Sequence, residues 1–136
     1  MSWDSILKAG NCYMSAYTYV FNDYVKNNGT KLLLVHAEVT GTGGNVANIK
    51  YGHAFVLDGD YVIDTEALTK GLNHRYPYEE YYAIGKIENE EIYNFNEMLA
   101  HSQLNGHYGP WPPANEEVNS MINMLRGNKK WFGKTF

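Results

Sequence analysis

The segment YGHAFVLDGDYVIDTEA, residues 51 to 67, constrains the fold of this chain most strongly. Alternating apolar stretches flank Asp58-Gly59, a dipeptide typical of the two-residue loops that join antiparallel strands. We therefore predict a β-hairpin with Asp58 and Gly59 in its turn. This turn fixes the register and places His53 directly opposite Asp64 on one face, with Cβ atoms roughly 4.5–5.5 Å apart.

An imidazole held beside a carboxylate has a well-known use in catalysis. The carboxylate accepts a hydrogen bond from one ring nitrogen and stabilises the imidazolium, and the other nitrogen acts as a base. The missing partner is a nucleophile, for which Cys12, the single cysteine, is the candidate. Two plainer interpretations remain open: a lone cysteine is usually a small buried hydrophobe, and a His–Asp contact is often structural. Glu66 replaces Asp64 as the partner of His53 if the register differs.

Cys12 lies at the start of a predicted helix, with Asn11 as N-cap and Asn28-Gly29 as the stop. Apolar side chains recur there at helical spacing: Tyr13, Ala16, Tyr17, Val20 and Tyr24. The positive end of the helix dipole favours a thiolate in this first turn. Backbone N–H groups of the turn are predicted to receive an oxyanion, and the Asn11 side chain is a second candidate donor for that oxyanion hole.

The rest of the chain alternates between strand-like and helix-like patterns. We predict strands at 31–40 and 90–95, helices at 96–106 and 114–127, a loop at 41–45, an irregular stretch at 68–80 and either state at 81–87. The fold class that follows is α+β: an N-terminal helix carrying Cys12, packed on a small antiparallel β-sheet, with additional C-terminal helices. Residues 1–136 are predicted to form a single domain.

Composition excludes several classes of function. One cysteine permits no intrachain disulfide, and a net charge of −4 argues against non-specific nucleic-acid binding. No apolar run is long enough to span a bilayer, and the first residues lack the pattern of a secretory signal. We therefore expect a cytoplasmic protein with neither nucleic acid nor membrane as a partner.

Three short motifs carry a resemblance to a known superfamily. Gly10-Asn11-Cys12 opening a helix, then His53-Ala54-Phe55, then Val62-Ile63-Asp64-Thr65, together resemble the papain-like and transglutaminase-like cysteine enzymes. The resemblance implies a Cys-His-Asp triad in a papain-like core. It also implies acyl hydrolysis or acyl transfer on a peptide or small amide, without a cofactor. The segments LVHAEVTGTGG and GHYGPW resemble small proteins of this type from bacteriophages and bacteria, which implies the host cytoplasm for a phage-encoded chain.

The match is incomplete at the cysteine. Tyr13 follows Cys12 where a tryptophan is common in the superfamily, and no glutamine stands a few residues before it, so the oxyanion donor stays open. The alternative function is a catalytically inactive binding or inhibitory module on the same fold, such as a phage protein that engages a host component.

Further residues are candidates for a substrate groove or a metal site. Tyr13, His36 and Trp111 are candidates for the walls of a substrate groove. Cys12, His36, His53 and Asp64 have the side chains of a zinc site, but no closely spaced ligand pair supports one, so we predict no metal.

Overall fold

The computed structural model describes residues 11–41, 47–66 and 75–127, apart from the side chain of Asn11. This part of the chain is an α+β fold of four helices and one five-stranded antiparallel sheet. The helices are α1 (Asn11–Asn27), α2 (Tyr78–Gly85), α3 (Phe95–Asn105) and α4 (Glu116–Gly127). The strands are β1 (Leu33–Thr40), β2 (Lys50–Asp58), β3 (Tyr61–Ile63), β4 (Arg75–Pro77) and β5 (Glu88–Tyr93), in the sheet order β4-β3-β2-β1-β5.

The sheet lies between α1 on one face and α2 on the other. Side chains of a strand alternate between its faces, so each strand contributes to both of the resulting cores. The α1 face buries a cluster that includes Ala16, Val20, Leu34, Ala54, Val56 and Tyr93. The α2 face buries Val35, Ala37, Phe55, Leu57 and Val62, with Tyr81 and Tyr82 packed against them. His53 alternates with Phe55 along β2 and therefore belongs to the α2 face.

Helix α1 is confirmed over its predicted length. It ends at Asn27 and is followed by Asn28 with a φ of 66° and by Gly29, whose N–H donates to the Tyr24 carbonyl at 3.1 Å. The left-handed residue closes the last turn, as the Asn-Gly stop predicts. Cys12 is the second residue of the helix, in its first turn.

The β2–β3 hairpin forms, but its turn lies one residue later than predicted. Asp58 pairs with Tyr61, so the two-residue loop is Gly59-Asp60 and not Asp58-Gly59. Gly59 has a φ of 60°, and Asp60 keeps a negative φ. That combination is the type II′ pattern, whereas a type I′ turn needs positive φ at both central residues. The predicted register, with His53 directly opposite Asp64, is therefore wrong.

The displaced turn nevertheless preserves the faces of both strands. Moving a turn by one residue shifts each cross-strand partner by two positions, and side chains alternate with a period of two. Extending the observed pairing beyond Ile63, where β3 ends, sets His53 opposite Glu66. Asp64 becomes the diagonal neighbour of His53 on the same face, within reach of a long side chain.

Three other predictions need correction. Arg75–Pro77, expected to be irregular, is an edge strand, since Pro77 stands at its end where no ladder hydrogen bond is lost. The undecided stretch 81–87 lies largely in α2, which begins directly after Pro77. Helix α3 starts earlier than predicted, because Asn94 and Glu97 form a reciprocal capping box, and Asn96 is not the cap.

Some predictions fall outside the described residues: the loop at 41–45 apart from Gly41, the irregular stretch at 68–74, the tail after residue 127 and the Asn11 side chain. None of the helices described is a candidate for spanning a bilayer, since none combines enough length with enough apolarity.

Candidate active site

His53 lies on β2 where the strand has no β3 partner. β3 pairs with β2 only through Val56, Leu57 and Asp58, so the edge of β2 next to His53 lies beyond that ladder. The imidazole is 4% exposed. Its Nε2 lies 3.3 Å from Oδ2 of Asp64, the first residue after β3. This separation is long for an N–H···O hydrogen bond.

Asp64 is held by two further donors. The Tyr81 hydroxyl of α2 donates to Oδ2 at 2.8 Å, and the Glu66 backbone N–H donates to Oδ1 at 3.1 Å. Burial alone raises the pKa of a carboxyl group, but the hydrogen bond and charge of His53, together with these two donors, outweigh it and lower the pKa of Asp64. The carboxylate is therefore ionised and fixed in orientation.

Cys12 meets the same imidazole. The thiol is partly buried against the α1-face core and lies close enough to His53 to raise the pKa of the imidazole. Burial opposes protonation of His53, but hydrogen bonds and charges from Asp64 and then Cys12 more than compensate and raise the pKa of His53 to about 10. The structure thus brings together the three residues that the sequence predicted, in spite of the changed register.

Glu66 is a second acid beside the imidazole, although it lies in a helical segment after β3 and does not pair with β2. Its Oε2 lies 3.7 Å from Nδ1 of His53. One ligand atom each from His53, Asp64 and Glu66 lies within 4.8 Å of the others, so among the described residues this group could hold a metal ion. Each ring nitrogen already faces its own carboxylate, and a proton on the imidazole accounts for this arrangement without a metal.

Tyr51 is a site residue that sequence reasoning missed. It is two residues before His53 on β2 and therefore on the same face, with its ring centroid 6.3 Å from that of His53. Burial, followed by the charges of Glu66, Asp64 and Cys12, raises the pKa of its phenol. The side chain is 39% exposed, so Tyr51 borders the site from the solvent side. The period of two along β2 was the signal that could have identified it.

A cavity of about 490 Å³ adjoins the His–Asp pair on the α2 face. His53 and Asp64 line it, and its other walls come from the ends of β1 and β2 and from α2: Val39, Thr40, Gly41, Tyr51, Glu66, Tyr76, Glu80, Tyr81, Ile84, Gly85 and Ile87. A cavity of this size accommodates a side chain or a small ligand.

The predicted groove residues lie elsewhere. Tyr13, His36 and Trp111 are 8%, 6% and 9% exposed and belong to the core, and none of them lines this cavity. Their ring centroids are close: His36 lies 4.8 Å from Tyr13 and 4.8 Å from Trp111. Neither nitrogen of His36 has a hydrogen-bond partner within the described part of the chain, and burial, followed by the nearby His101, lowers the pKa of His36 to about 4. The structure thus makes His36 a neutral core residue, because aromatic rings surround it.

Two glycines keep Tyr13 in its place beside Cys12. A Cβ on Gly52 would lie 2.6 Å from the Tyr13 hydroxyl oxygen, and a Cβ on Gly109 would lie 3.1 Å from Tyr13 Cδ1 and 2.4 Å from His36 Cε1. A side chain at either glycine would therefore need space that the Tyr13 side chain occupies, and at Gly52 this space is next to His53 on β2. This contact anchors the first turn of α1 against the strand that carries the imidazole.

Comparison of the chain with protein-family models, curated proteins and solved structures finds no match. The functional assignment therefore depends on the geometry described above.

Proposed function

We propose that the protein is a thiol-dependent acyl hydrolase or acyl transferase in which Cys12 is the nucleophile, His53 its proton partner and Asp64 the residue that orients His53. One observation carries the proposal: a single buried imidazole interacts with the lone thiol and with a carboxylate that is itself held by two donors. A nucleophile that contacts a base, which in turn contacts an orienting acid, is the arrangement typical of thiol enzymes.

The proposal places a protonated His53 beside Cys12 in the resting site. A pKa of about 10 keeps His53 protonated at neutral pH. The positive ring stabilises the cysteine anion, which is the reactive form of the residue. Asp64 accepts from Nε2 and so holds the imidazole ring in one orientation.

The reaction follows from this pair. The Cys12 sulfur attacks the carbonyl carbon of an amide or ester, and its lone pair forms the S–C bond while the carbonyl π electrons move to oxygen. Collapse of the tetrahedral adduct breaks the bond to the leaving group, which takes the proton from His53. The neutral imidazole then removes a proton from water or from an amine while its oxygen or nitrogen attacks the acyl carbon. Collapse of this second adduct breaks the S–C bond, releases the acid or the new amide, and leaves the sulfur as a thiolate beside the imidazolium.

The oxyanion needs donors near the start of α1. Backbone N–H groups in the first turn of a helix have no intrahelical partner and point toward the solvent end. They are the donors we assign, together with the positive end of the helix dipole. The order of the elements, a helix carrying cysteine, then a histidine strand and then an acid, supports a papain-like or transglutaminase-like core as part of this proposal.

Alkylation of the single thiol tests the proposal. We expect iodoacetamide to modify the folded chain at pH 6.5 about tenfold faster than the chain unfolded in urea, because only the folded state places an imidazolium beside the thiol. Replacing His53 by Ala should remove this excess. His107→Ala is the matched control, since His107 is an exposed histidine of the loop after α3. Intact mass against time reports one modification per chain.

Slow alkylation in the folded state, or a rate that His53→Ala leaves unchanged, contradicts the enzyme proposal. Either result favours the alternative of an inactive binding module on the same fold, in which Cys12 is a structural side chain. A survey of fluorogenic amide and ester substrates should accompany the labelling, with Cys12→Ser as the inactive reference.

A further inference from the structure

We propose that the hydroxyl of Tyr51 donates a hydrogen bond to the oxygen of the carbonyl group that Cys12 attacks, which makes Tyr51 a further catalytic residue. The inference rests on the proposed thiol enzyme and adds a side-chain donor to the backbone N–H groups at the start of α1. Its test separates the role of Tyr51 from the reactivity of the sulfur.

Strand β2 fixes the position of Tyr51. Its backbone pairs with Val39 of β1, while the other edge of β2 lies here beyond the ladder that β3 forms. Because side chains two residues apart on a strand share a face, the phenol and the imidazole of His53 lie on the same side of the sheet. Their ring centroids are 6.3 Å apart. The phenol is therefore a fixed neighbour of the proton partner of the thiol.

The Tyr51 hydroxyl lies within range of the charges of the site. Burial, followed by the charges of Glu66, Asp64 and Cys12, raises the pKa of this hydroxyl. Since the effect of a charge weakens with distance, the phenol lies near the sulfur as well as near the imidazole. A pKa above the ordinary value of 10 keeps the hydroxyl protonated in the neutral range, and the protonated hydroxyl is the form that donates.

This hydroxyl is also available to a substrate. The hydroxyl of Tyr81, on the wall of the same cavity, donates to Asp64. The hydroxyl of Tyr51 makes no hydrogen bond within the described part of the chain, and its side chain is 39% exposed. It can therefore bind the oxygen of a ligand without breaking a contact inside the protein.

Tyr13 is another tyrosine near the sulfur, but it lies in the core. Burial and then the charge of Cys12 raise the pKa of Tyr13. Its side chain is 8% exposed, and its hydroxyl oxygen lies against Gly52, where an added Cβ would be 2.6 Å away. Tyr13 therefore packs on the core side of β2, and Tyr51 is the phenol on the solvent side of the site.

The proposed donor acts on the tetrahedral adduct. When the sulfur forms its bond to the carbonyl carbon, the carbonyl π electrons move to oxygen. The resulting anion accepts from the phenol more strongly than the neutral carbonyl does. The proton stays on the tyrosine throughout, so the step needs no further acid or base. Loss of one donor of this kind slows an acyl transfer by about 10²- to 10³-fold.

Two reactions of the same sulfur test the inference. Alkylation by iodoacetamide displaces iodide and forms no oxyanion, whereas acylation by p-nitrophenyl acetate passes through one. In Tyr51→Phe we expect the acylation of Cys12 to slow by at least about tenfold, because the ring is kept and the donor is lost. The alkylation rate should stay within about twofold of the wild type, since the thiolate is unchanged. Released p-nitrophenolate and intact mass follow the first acylation, with Cys12→Ser as the background.

Tyr61→Phe is the matched control. Tyr61 lies on the neighbouring strand β3, is 42% exposed and is not among the residues that line the cavity. The variant therefore removes a phenol hydroxyl of similar exposure away from the site, and both reactions should proceed as in the wild type. Unchanged acylation in Tyr51→Phe, or equal slowing of acylation and alkylation, would overturn the proposed donor.

The outcomes separate the donor from the enzyme. A wild-type thiol with accelerated alkylation, and with acylation that Tyr51→Phe leaves unchanged, keeps the proposed function and removes the role of Tyr51. A wild-type thiol with ordinary alkylation, and with no acylation that depends on Cys12, removes the proposed function and the role of Tyr51 together.

Discussion

Tyr81 donates its hydroxyl to Oδ2 of Asp64 at 2.8 Å, the same oxygen that faces Nε2 of His53. Helix α2 thereby fixes the acid that fixes the imidazole. The relationship joins three elements, β2, the end of β3 and α2, at one carboxylate oxygen. A phenol is suited to this position because its ring packs on Phe55, at 5.1 Å between centroids, while its hydroxyl reaches the acid.

Tyr81→Phe should lower the free energy of unfolding at pH 7 by about 1.5 kcal/mol, the usual range for a hydrogen bond to a charged group. Asp64 has a lowered pKa in the folded state, so its ionised form stabilises the fold above the ordinary value of 3.8 and this contribution is lost as the pH falls through the lowered pKa. The effect of the variant should therefore shrink toward pH 3. Urea unfolding at both pH values measures it.

Tyr82→Phe is the control for that experiment. Tyr82 also packs on Phe55, but its hydroxyl donates to Glu90, which is exposed. We expect a loss of about 0.5 kcal/mol or less for this variant. Equal losses for the two tyrosines would show that Asp64 is not held by its buried donor.

Asp64→Asn should lower the pKa of His53 by at least about one unit, since an adjacent carboxylate contributes one to three units of stabilisation to a cation. In the wild type His53 has its pKa raised from 6.5 to about 10. Its charged form therefore stabilises the fold fully below pH 6.5, and this contribution is lost as the pH rises through 10. Two-dimensional ¹H–¹⁵N spectra of the histidine side chains, recorded from about pH 5 to about pH 11.5 so that they bracket both midpoints, give the pKa directly. A His53 that titrates equally in both chains would contradict the pairing.

His36 should make the fold sensitive to mild acid. Its pKa is lowered from 6.5 to about 4, so the unfolded chain binds a proton between these values that the folded chain does not bind. Stability should therefore fall as the pH decreases from 6.5 to 4, by up to about 3 kcal/mol. His36→Leu should flatten this part of the profile. His107→Leu, which changes an exposed histidine, should leave the slope as in the wild type.

Gly52→Ala should reduce Cys12 alkylation while the chain stays folded. The added methyl group would meet the Tyr13 hydroxyl oxygen at 2.6 Å, and the tyrosine must move, together with the first turn of α1. We expect the rate at pH 6.5 to approach that of the unfolded chain. Gly59→Ala is the control: it has a φ of 60° and no atom within 4 Å of a Cβ, so it costs about 1 kcal/mol of backbone strain and leaves the thiol unaffected.

The sequence predicted the α+β class, helix α1 with its Asn-Gly stop, and the contact between His53 and Asp64. These features depend on the spacing of apolar residues along the chain, which can be recognised in a single sequence. The exact turn was not predicted, because Asp58-Gly59 and Gly59-Asp60 both fit a two-residue loop and differ only in which residue takes positive φ. The contact persisted since either turn leaves both side chains on one face.

Tyr81 and the cavity were beyond sequence reasoning for a different reason. Residues 81–87 carry aromatic and apolar side chains that suit a helix or a strand, and only packing against the α2 face of the sheet decides between them. His36 and Trp111 were assigned to a groove, whereas both lie in the core. Nothing in local pattern distinguishes an aromatic side chain that lines a surface from one that fills an interior.

The first turn of a helix melts more readily than its middle, because its amide groups lack intrahelical partners. In this protein that turn carries Cys12. The ring of Tyr13 packs against Gly52, Gly109 and His36 and thereby restrains the turn. Release of one aromatic ring would disconnect the sulfur from the imidazole while every strand stays paired. Warming should therefore slow the alkylation of Cys12 before the sheet unfolds. The alkylation rate would then report how well the Tyr13 ring is packed in the core.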